Sequence, residues 1–252
     1  MYGEILCRRK KWSRGVGNGY PFAAMGVRVF GATDVTTKYT ERGKTNTRNL
    51  RANIQPLLDA TPGNVAVFAP SYGMLSDVVG EAHFSGVRMM VENREWSKQD
   101  LDQVVETLLE EKRAGRRILL AGVFGARLSE GVDYHGGALD AVACIGIPNS
   151  PPSVLSSALK TYAEERFGRN LAWRYTVSQP AVNSILQAMG RPIRAIEDRA
   201  LIVLLDRRVN ERTYAHCFPS DLRMNEASNP EATARFARRF FAKIQPGSIK
   251  KQ

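Results

Sequence analysis

The sequence predicts an α/β fold in which helices flank a parallel β-sheet. Short apolar runs such as Val65–Ala69 and Ile118–Val123 have the length and uninterrupted hydrophobicity of strands buried on both faces. Segments of about 10–15 residues with helical spacing of apolar side chains lie between these runs. Strands that alternate with helices in this way are typical of parallel sheets, because parallel neighbours need crossover connections.

The regular alternation begins at about Val27, and several elements carry their own local signal. Ser97 suits the N-cap of a helix that Gly115 would end, and Pro180 suits the first turn of a later helix. The predicted strands are Val65–Ala69, Val87–Val91, Ile118–Val123, Leu139–Ile147 and Ala200–Leu205. The predicted helices are Thr47–Leu58, Ser71–Glu81, Ser97–Gly115, Ser153–Phe167, one starting near Ser178, and a surface helix Glu231–Lys243.

The net charge of +11 comes from the two ends of the chain. Residues 1–51 hold 11 Lys and Arg against 3 Asp and Glu, and residues 231–252 hold 6 against 1. A nucleic-acid contact and a solvated basic tail both explain such an excess. We expect an irregular basic segment at 1–26, one domain at 27–221, and a helix with a basic tail at 222–252.

Composition argues against several classes of protein. No apolar run approaches the roughly 20 residues that a membrane helix needs, and the first residues lack the pattern of a secretory signal. The three cysteines, Cys7, Cys144 and Cys217, have neither metal-ligand spacing nor an even count. We therefore expect a reducing, cytoplasmic setting, no membrane partner and no metal site within this chain.

The stretch YTERGKT, residues 39–45, ends like a phosphate-binding loop. Such a loop needs a glycine five positions before Gly43, but Lys38 stands there, and no buried strand leads into the segment. An exposed turn before a helix is the favoured interpretation. A second resemblance, Gly80-Glu81-Ala82-His83 to a magnesium-binding DEAH box, lacks the required aspartate, so His83 is expected at the surface.

The segment GARLSEGVDY, residues 125–134, is a stronger candidate for a ligand site because it directly follows the strand Ile118–Val123. Ligands of parallel sheets bind at loops beyond the carboxyl ends of strands. Ser129, Glu130 and Asp133 surround Gly131 in this loop, which can offer a hydroxyl, carboxylates and backbone N–H groups. Polar loops are common, so the segment alone is a modest signal.

The segment QAMGRPIR combines four candidate residues at spacings of three or four: Gln187, Gly190, Arg191 and Arg194. A helical turn would place them on one face, and Gly190 would let another backbone approach. Two arginines aimed the same way suit a phosphate, because a guanidinium binds oxyanions with a fixed fork. A solvated basic helix face is the alternative. Pro192 is expected to end the regular helix, with Arg194 in the turn beyond.

Taken in order, GARLSEGVDY, QAMGRPIR and DRALIVLLDRR resemble motifs V and VI of the XPD/DinG family of superfamily 2 DNA helicases. VAVFAPSY at 65–72 is similar to motif IV, and DVTTKYTERG at 34–43 to the segment before it. The resemblance covers about residues 32–218 and is nearest to the archaeal XPD-like members. It implies the second, C-terminal RecA-like motor domain of an ATP-dependent 5′–3′ DNA helicase of the repair type.

The resemblance also implies roles for individual residues. Arg191 and Arg194 would reach the ATP γ-phosphate, with Arg194 favoured as the arginine finger, and Gln187 would position the nucleotide or the attacking water. The other implied site residues are Ser129, Glu130, Gly131 and Asp133 with Gly190 for coupling to the nucleotide, and Ser71 and Tyr72 for the DNA backbone. Asp206 and Arg207 would brace the two arginines, with a surface ion pair as the alternative.

The implied partners are single-stranded DNA, an N-terminal helicase domain and DNA repair proteins. That N-terminal domain would supply the phosphate loop and the DEAH box for ATP and Mg²⁺, together with an iron–sulfur cluster, which needs four ligands. A nucleoid-associated location would follow. The alternatives are a non-catalytic RecA-like module that binds nucleic acid or a protein, and a stand-alone kinase that uses Lys44.

Overall fold

A seven-stranded, wholly parallel sheet forms the centre of the protein. The structure, a computed structural model, describes residues 26–194 and 198–242. The strand order is β3-β4-β2-β5-β6-β1-β7. The strands are β1 (Arg28–Ala32), β2 (Val65–Ala69), β3 (Arg88–Val91), β4 (Ile118–Val123), β5 (Ala141–Ile145), β6 (Leu201–Leu205) and β7 (Met224–Ala227).

Helices cover both faces of this sheet. They are α1 (Lys44–Ala60), α2 (Tyr72–Leu75), α3 (Lys98–Arg113), α4 (Arg127–Glu130), α5 (Val154–Phe167), α6 (Arg169–Trp173), α7 (Gln179–Met189), α8 (Arg212–Ala215) and α9 (Pro230–Ala242). A π-helical turn, Ser76–Gly80, extends α2, and another, Arg174–Ser178, joins α6 to α7. The predicted fold class, α/β with a parallel sheet flanked by helices, is confirmed.

The alternation of side chains along each strand divides the core into two layers. In β4, Ile118 and Leu120 pack with α3 and α7, whereas Leu119 and Ala121 pack on the opposite face with α1 and α9. Every residue of β2, β4, β5 and β6 is buried, as expected of central strands in a doubly covered sheet.

Several predicted elements are reproduced to the residue. Strands β2 and β4 have the predicted bounds, because an uninterrupted apolar run sets them. Helix α3 starts after Ser97, whose hydroxyl accepts from Asp100 N at 3.2 Å while Asp100 Oδ2 accepts from Ser97 N at 2.6 Å. This reciprocal capping box explains why the start of α3 could be predicted from sequence.

Other elements differ in their bounds. Helix α1 starts three residues before the expected Thr47. The predicted helix Ser71–Glu81 consists of α2 and its π-helical turn, whose carbonyls at Asp77 and Val78 accept from the Arg51 guanidinium at 2.8 Å each. The helical region expected near Ser178 begins at α6, because the π-helical turn 174–178 carries it through without a break.

Strand β7 and helix α9 lie beyond the domain boundary expected at residue 221, and both pack onto the domain. Strand β7 pairs with β1, with Phe30 opposite Asn225. Helix α9 buries Ala237 against the sheet and stacks Phe236 on Phe30 at a centroid distance of 5.4 Å. The helix that was expected at the surface therefore covers one face of the sheet together with α1. The segment before Gly26, which was expected to be irregular and contains Cys7, lies outside the described residues. So does the expected basic tail, from Lys243 onward.

Helix α5 is the least covered long helix of the described chain. Ala163 is its one buried residue, while Val154, Leu155, Leu159 and Tyr162 are exposed. Among the described residues, no helix is both long and apolar enough to cross a membrane.

Candidate functional site

The loop GARLSEGVDY folds into a tight turn after β4, followed by the single turn of α4. The carbonyl of Ala126 accepts from Ser129 N at 3.1 Å, Ser129 Oγ at 3.0 Å and Glu130 N at 3.0 Å. Ser129 is buried, and its hydroxyl stabilises this turn. Glu130 and Gly131 are exposed and remain accessible to a ligand.

A buried carboxylate that the sequence analysis missed holds this loop in place. Glu92 directly follows β3 and is 7% exposed. Its two oxygens accept from Val123 N at 3.0 Å and from Leu128 N at 3.1 Å, at the two ends of the turn. A side chain at Gly122 would begin 2.9 Å from the Glu92 carboxylate, which explains the glycine there. The position of Glu92 directly after a strand was the signal that the sequence offered. Its hydrogen-bond partners are too distant in the sequence to be inferred from that signal.

Replacing Glu92 by glutamine should destabilise the protein by about 1–3 kcal/mol. The side-chain NH₂ group of glutamine would face one of the two backbone N–H groups that now donate to the carboxylate, and two donors cannot form a hydrogen bond. Urea unfolding followed by circular dichroism measures this loss. Glu95→Gln, at an exposed position three residues further along the same segment, is the matched control and should change stability by less than about 0.5 kcal/mol. Equal stability of the two variants would contradict the role assigned to Glu92.

Arg191 and Arg194 lie just beyond the end of α7 and both contact the loop after β4. Arg191 Nη1 donates to Val132 O at 3.0 Å, and the Arg194 guanidinium forms an ion pair with Asp133. The helix ends at Met189, three residues before Pro192, so Arg194 lies in the turn beyond the helix as expected, and Arg191 lies there as well. They do not share a helical face with Gln187, which corrects that part of the prediction. The structure brings Asp133, Arg191 and Arg194 together.

The electrostatics of this cluster favour an anionic ligand. Burial, followed by the charge of Arg194, lowers the pKa of Arg191 from its usual value. Among the described residues, Arg191 Nε is buried without a hydrogen-bond partner. A guanidinium that has lost water and keeps an unused donor gains more from an oxyanion than a solvated one does.

The remaining residues of QAMGRPIR are less directly involved. Gln187 is exposed on the last turn of α7. A side chain at Gly190 would meet the carbonyls of Leu186 and Gln187 at 3.5 and 3.6 Å, and no approaching backbone from elsewhere. The close approach expected at Gly190 is thus absent among the described residues. Its carbonyl instead accepts from Arg194 Nη1 at 3.3 Å.

The arginine cluster joins the loop after β4 to the segment that precedes β6. Arg194 N donates to Asp198 Oδ2 at 2.6 Å, and Asp198 lies three residues before β6. The loop 125–133 therefore begins at the carboxyl end of β4 and extends to the arginines. This loop thus connects the two regions that contain candidate residues, namely the arginine cluster and the carboxyl end of the sheet.

The second region contains Ser71 and Tyr72, at the carboxyl end of β2. The Ser71 hydroxyl caps α2 by accepting from Met74 N at 3.2 Å. The guanidinium of Arg94 lies 4.0 Å from the centre of the Tyr72 ring, and the Arg127 guanidinium donates to Arg94 O. Burial, then the charge of Glu92, raises the pKa of Tyr72. The sequence analysis missed both arginines, because only the fold brings the segments after β3 and β4 beside Tyr72.

Asp206 and Arg207 do not brace the arginines of QAMGRPIR, and the prediction that they would is wrong. Asp206 is fully buried and accepts from Thr36 Oγ1 at 3.1 Å, from Thr37 N at 2.8 Å and from Arg208 Nη2 at 2.7 Å. Arg207 instead pairs with Glu41 at 2.7 Å. The alternative of a surface ion pair describes Arg207 but not Asp206.

The Asp206 carboxylate remains charged in spite of its burial. Burial alone would raise the pKa of Asp206, but the hydrogen bonds and charge of Arg208, with the Thr37 and Arg208 backbone N–H groups, lower it overall. This cluster links the segment after β6 to the segment after β1.

The GKT sequence at 43–45 leads into α1, as predicted. Residues 33–43 separate β1 from α1, and the helix begins at Lys44 after an exposed turn. The DEAH-like segment Gly80–His83 begins at the last residue of the π-helical turn, and His83 is exposed as expected.

Comparison with known proteins identifies a family and several relatives to which most of this chain is similar. Residues 54–225 match the helicase C-terminal domain family. The chain is 27% identical over 217 residues to the ATP-dependent DNA helicase chl1 of Schizosaccharomyces pombe, covering 79% of this chain and 26% of that protein. It is 26% identical over 178 residues to the ATP-dependent DNA helicase XPD of Sulfolobus acidocaldarius, covering 69% of this chain and 30% of the relative.

Solved structures show the same fold. One titled XPD_APO superposes with a TM-score of 0.65 at 24% identity, over 81% of this chain and 40% of that one. One titled XPD_Helicase gives 0.63 at 23% identity, over 80% and 35%. The RecA-like fold implied by the sequence resemblance is thereby confirmed. This chain spans about a quarter to a third of the length of the two curated relatives.

Proposed function

The chain belongs to the helicase C-terminal domain family, and from that premise we propose that it is the C-terminal motor half of an ATP-dependent 5′–3′ DNA helicase of the repair type. In this proposal it supplies residues to an ATP site that an N-terminal motor domain completes. The observation that carries the proposal is the cluster of Arg191, Arg194 and Asp133.

Arg191 and Arg194 suit the stabilisation of charge on a transferring phosphoryl group. Arg191 Nε is a buried donor without a partner in the described part of the chain, so an oxyanion placed there would gain a charge-assisted hydrogen bond. Arg194, whose side chain is 35% exposed, can reach a partner outside the domain and acts as the arginine finger. Gln187, exposed one turn earlier, orients the nucleotide or the attacking water.

The carboxyl end of the sheet suits a nucleic-acid strand. Ser71 and Tyr72 contact the DNA backbone there, and Arg94 and Arg127 add two positive charges beside them. Glu130, Gly131 and Asp133 belong to the loop that connects this edge with the arginine cluster. A shift of that loop would couple the nucleotide to the DNA.

The N-terminal motor domain supplies the phosphate loop, the Mg²⁺ ligands and an iron–sulfur cluster in this proposal. Its binding surface on this chain includes the arginine cluster. The partners of the complete helicase are single-stranded DNA and DNA repair proteins, which places it at the nucleoid.

We expect the purified chain alone to show no DNA-stimulated ATP hydrolysis above a buffer control, because the cluster supplies charge but no phosphate loop. A coupled assay of ADP release, with and without single-stranded DNA, measures this. Addition of a matching phosphate-loop motor domain should restore turnover. Robust turnover by the chain alone, abolished by Lys44→Ala, would contradict the proposal and support a kinase that uses Lys44.

A non-catalytic nucleic-acid-binding module is the second candidate function. The cluster of Tyr72, Arg94 and Arg127 favours it, because this cluster needs no nucleotide to bind an anionic strand. Failure of every phosphate-loop domain to restore turnover, together with retained DNA binding, would favour this function over the motor.

A further inference from the structure

We propose that a second contact for single-stranded DNA lies at the Tyr39 turn, defined as residues 38–42. In this contact the Tyr39 ring stacks on a base while Lys38 and Arg42 bind backbone phosphates. The inference rests on the proposed DNA-binding function and adds a site on a different part of the sheet edge.

The exposure of Tyr39 is the first observation. At 83% exposure it is the most exposed aromatic residue of the described chain. The guanidinium of Arg42 lies 5.6 Å from the centre of its ring, and Lys38 is also exposed. An aromatic ring beside cations is the combination with which proteins bind single strands, because every base has a face that can stack.

Hydrogen bonds and an ion pair hold the Tyr39 turn in place. Thr37 N and Thr37 Oγ1 donate to the buried Asp206 at 2.8 and 3.0 Å, and Arg42 Nε donates to Thr37 O at 3.1 Å. Arg207 Nη2 pairs with Glu41 on the other side at 2.7 Å. A fixed turn presents Tyr39 without the ordering cost that a mobile loop would incur on binding.

The local charge favours an anionic polymer over a neutral peptide. Lys38, Arg42, Arg207 and Lys44 are four positive charges in and beside the turn, and Glu41 is the one negative charge of residues 38–44. Glu41 is already neutralised by Arg207, and Lys38 lies 3.9 Å from it. The excess positive charge suits phosphates.

The position of the Tyr39 turn fits a single strand of DNA that also contacts Tyr72. Both sites follow carboxyl ends of parallel strands, β1 and β2, and so lie at the same edge of the sheet. Strands β5 and β6 lie between β1 and β2, so the ends of these two strands are three strand spacings or about 14 Å apart. That distance corresponds to about four nucleotides at the 3.4 Å rise of stacked bases.

Fluorescence anisotropy with a labelled 12-residue oligothymidylate tests the inference on the full chain. Tyr39→Ala should weaken binding about 5- to 150-fold, the range for loss of one base-stacking contact, and Tyr39→Trp should retain affinity. The slope of log affinity against log salt should stay unchanged in Tyr39→Ala. It should fall by about 0.7 in Lys38→Ala, which removes one phosphate contact.

Arg113→Ala is the matched control, because Arg113 is an exposed arginine at the far end of α3, and it should leave affinity unchanged. Thermal unfolding should be the same in Tyr39→Ala and wild type, since the ring is exposed. If Arg94→Ala weakens binding and Tyr39→Ala does not, the Tyr39 contact is wrong while the DNA-binding function stands. If the wild-type chain does not bind the oligonucleotide at all, both are overturned.

Discussion

Replacing Asp206 by alanine is expected to lower the free energy of unfolding by about 3–5 kcal/mol. The substitution leaves the Arg208 guanidinium, whose side chain is 13% exposed, without its counter-charge. It also removes the acceptor for Thr36 and Thr37. Urea unfolding monitored by circular dichroism measures the loss.

Arg207→Ala is the matched control for Asp206→Ala. Its ion pair with Glu41 is exposed on both sides, at 45% and 34%, so its loss should cost about 1 kcal/mol or less. Similar losses in the two variants would contradict the distinction between a buried cluster and a surface pair.

The contribution of Asp206 should also depend on pH. Its folded-state pKa lies below the value of about 3.9 for an exposed aspartate. The stabilisation is therefore fully present above that pH and is lost as the pH falls through the folded pKa. The stability difference between wild type and Asp206→Ala should shrink below about pH 4.

Replacing Arg194 by alanine is expected to lower the ATP turnover number about a thousandfold or more in the chain reconstituted with its phosphate-loop domain. An arginine finger acts on charge that develops in the transition state, so its loss affects kcat more than nucleotide affinity. Steady-state ATP hydrolysis at saturating DNA measures kcat, and titration with a fluorescent ATP analogue measures binding.

Arg194→Lys separates charge from geometry in the same assay. Lysine keeps one positive charge but lacks the planar fork, so partial activity is expected. Arg113→Ala should retain full turnover. A loss in Arg194→Ala that appears entirely in nucleotide affinity, with kcat unchanged, would contradict the assignment of Arg194 as the finger.

The sequence predicted those elements whose signals are local. The apolar runs of β2 and β4 and the Ser97 capping box act within a few residues, and each was located correctly. The resemblance assigned the two motifs to one site, but it did not predict that Arg191 and Arg194 contact the loop after β4. Neither motif alone indicated that they meet.

The features that sequence reasoning missed depend on distant partners. Glu92 binds Val123 and Leu128 about thirty residues away. Asp206 binds Thr36 and Thr37 across about 170 residues. A carboxylate that follows a strand looks the same in sequence whether it faces a ligand or a buried backbone amide. The short strand β7 was missed because two of its four residues are exposed and it carries no apolar run.

The position of β1 between β6 and β7 has a consequence for synthesis on the ribosome. The first residue of β1, Arg28, is opposite Leu201, so 173 residues must be added before this pairing can begin. At about 5–20 residues per second, β1 waits roughly 10–35 seconds for its neighbour. Strands β2, β4 and β5 are complete by residue 145, long before β6 is synthesised. Over this interval the edges of β1 stay unpaired, and unpaired strand edges make a nascent chain prone to aggregation.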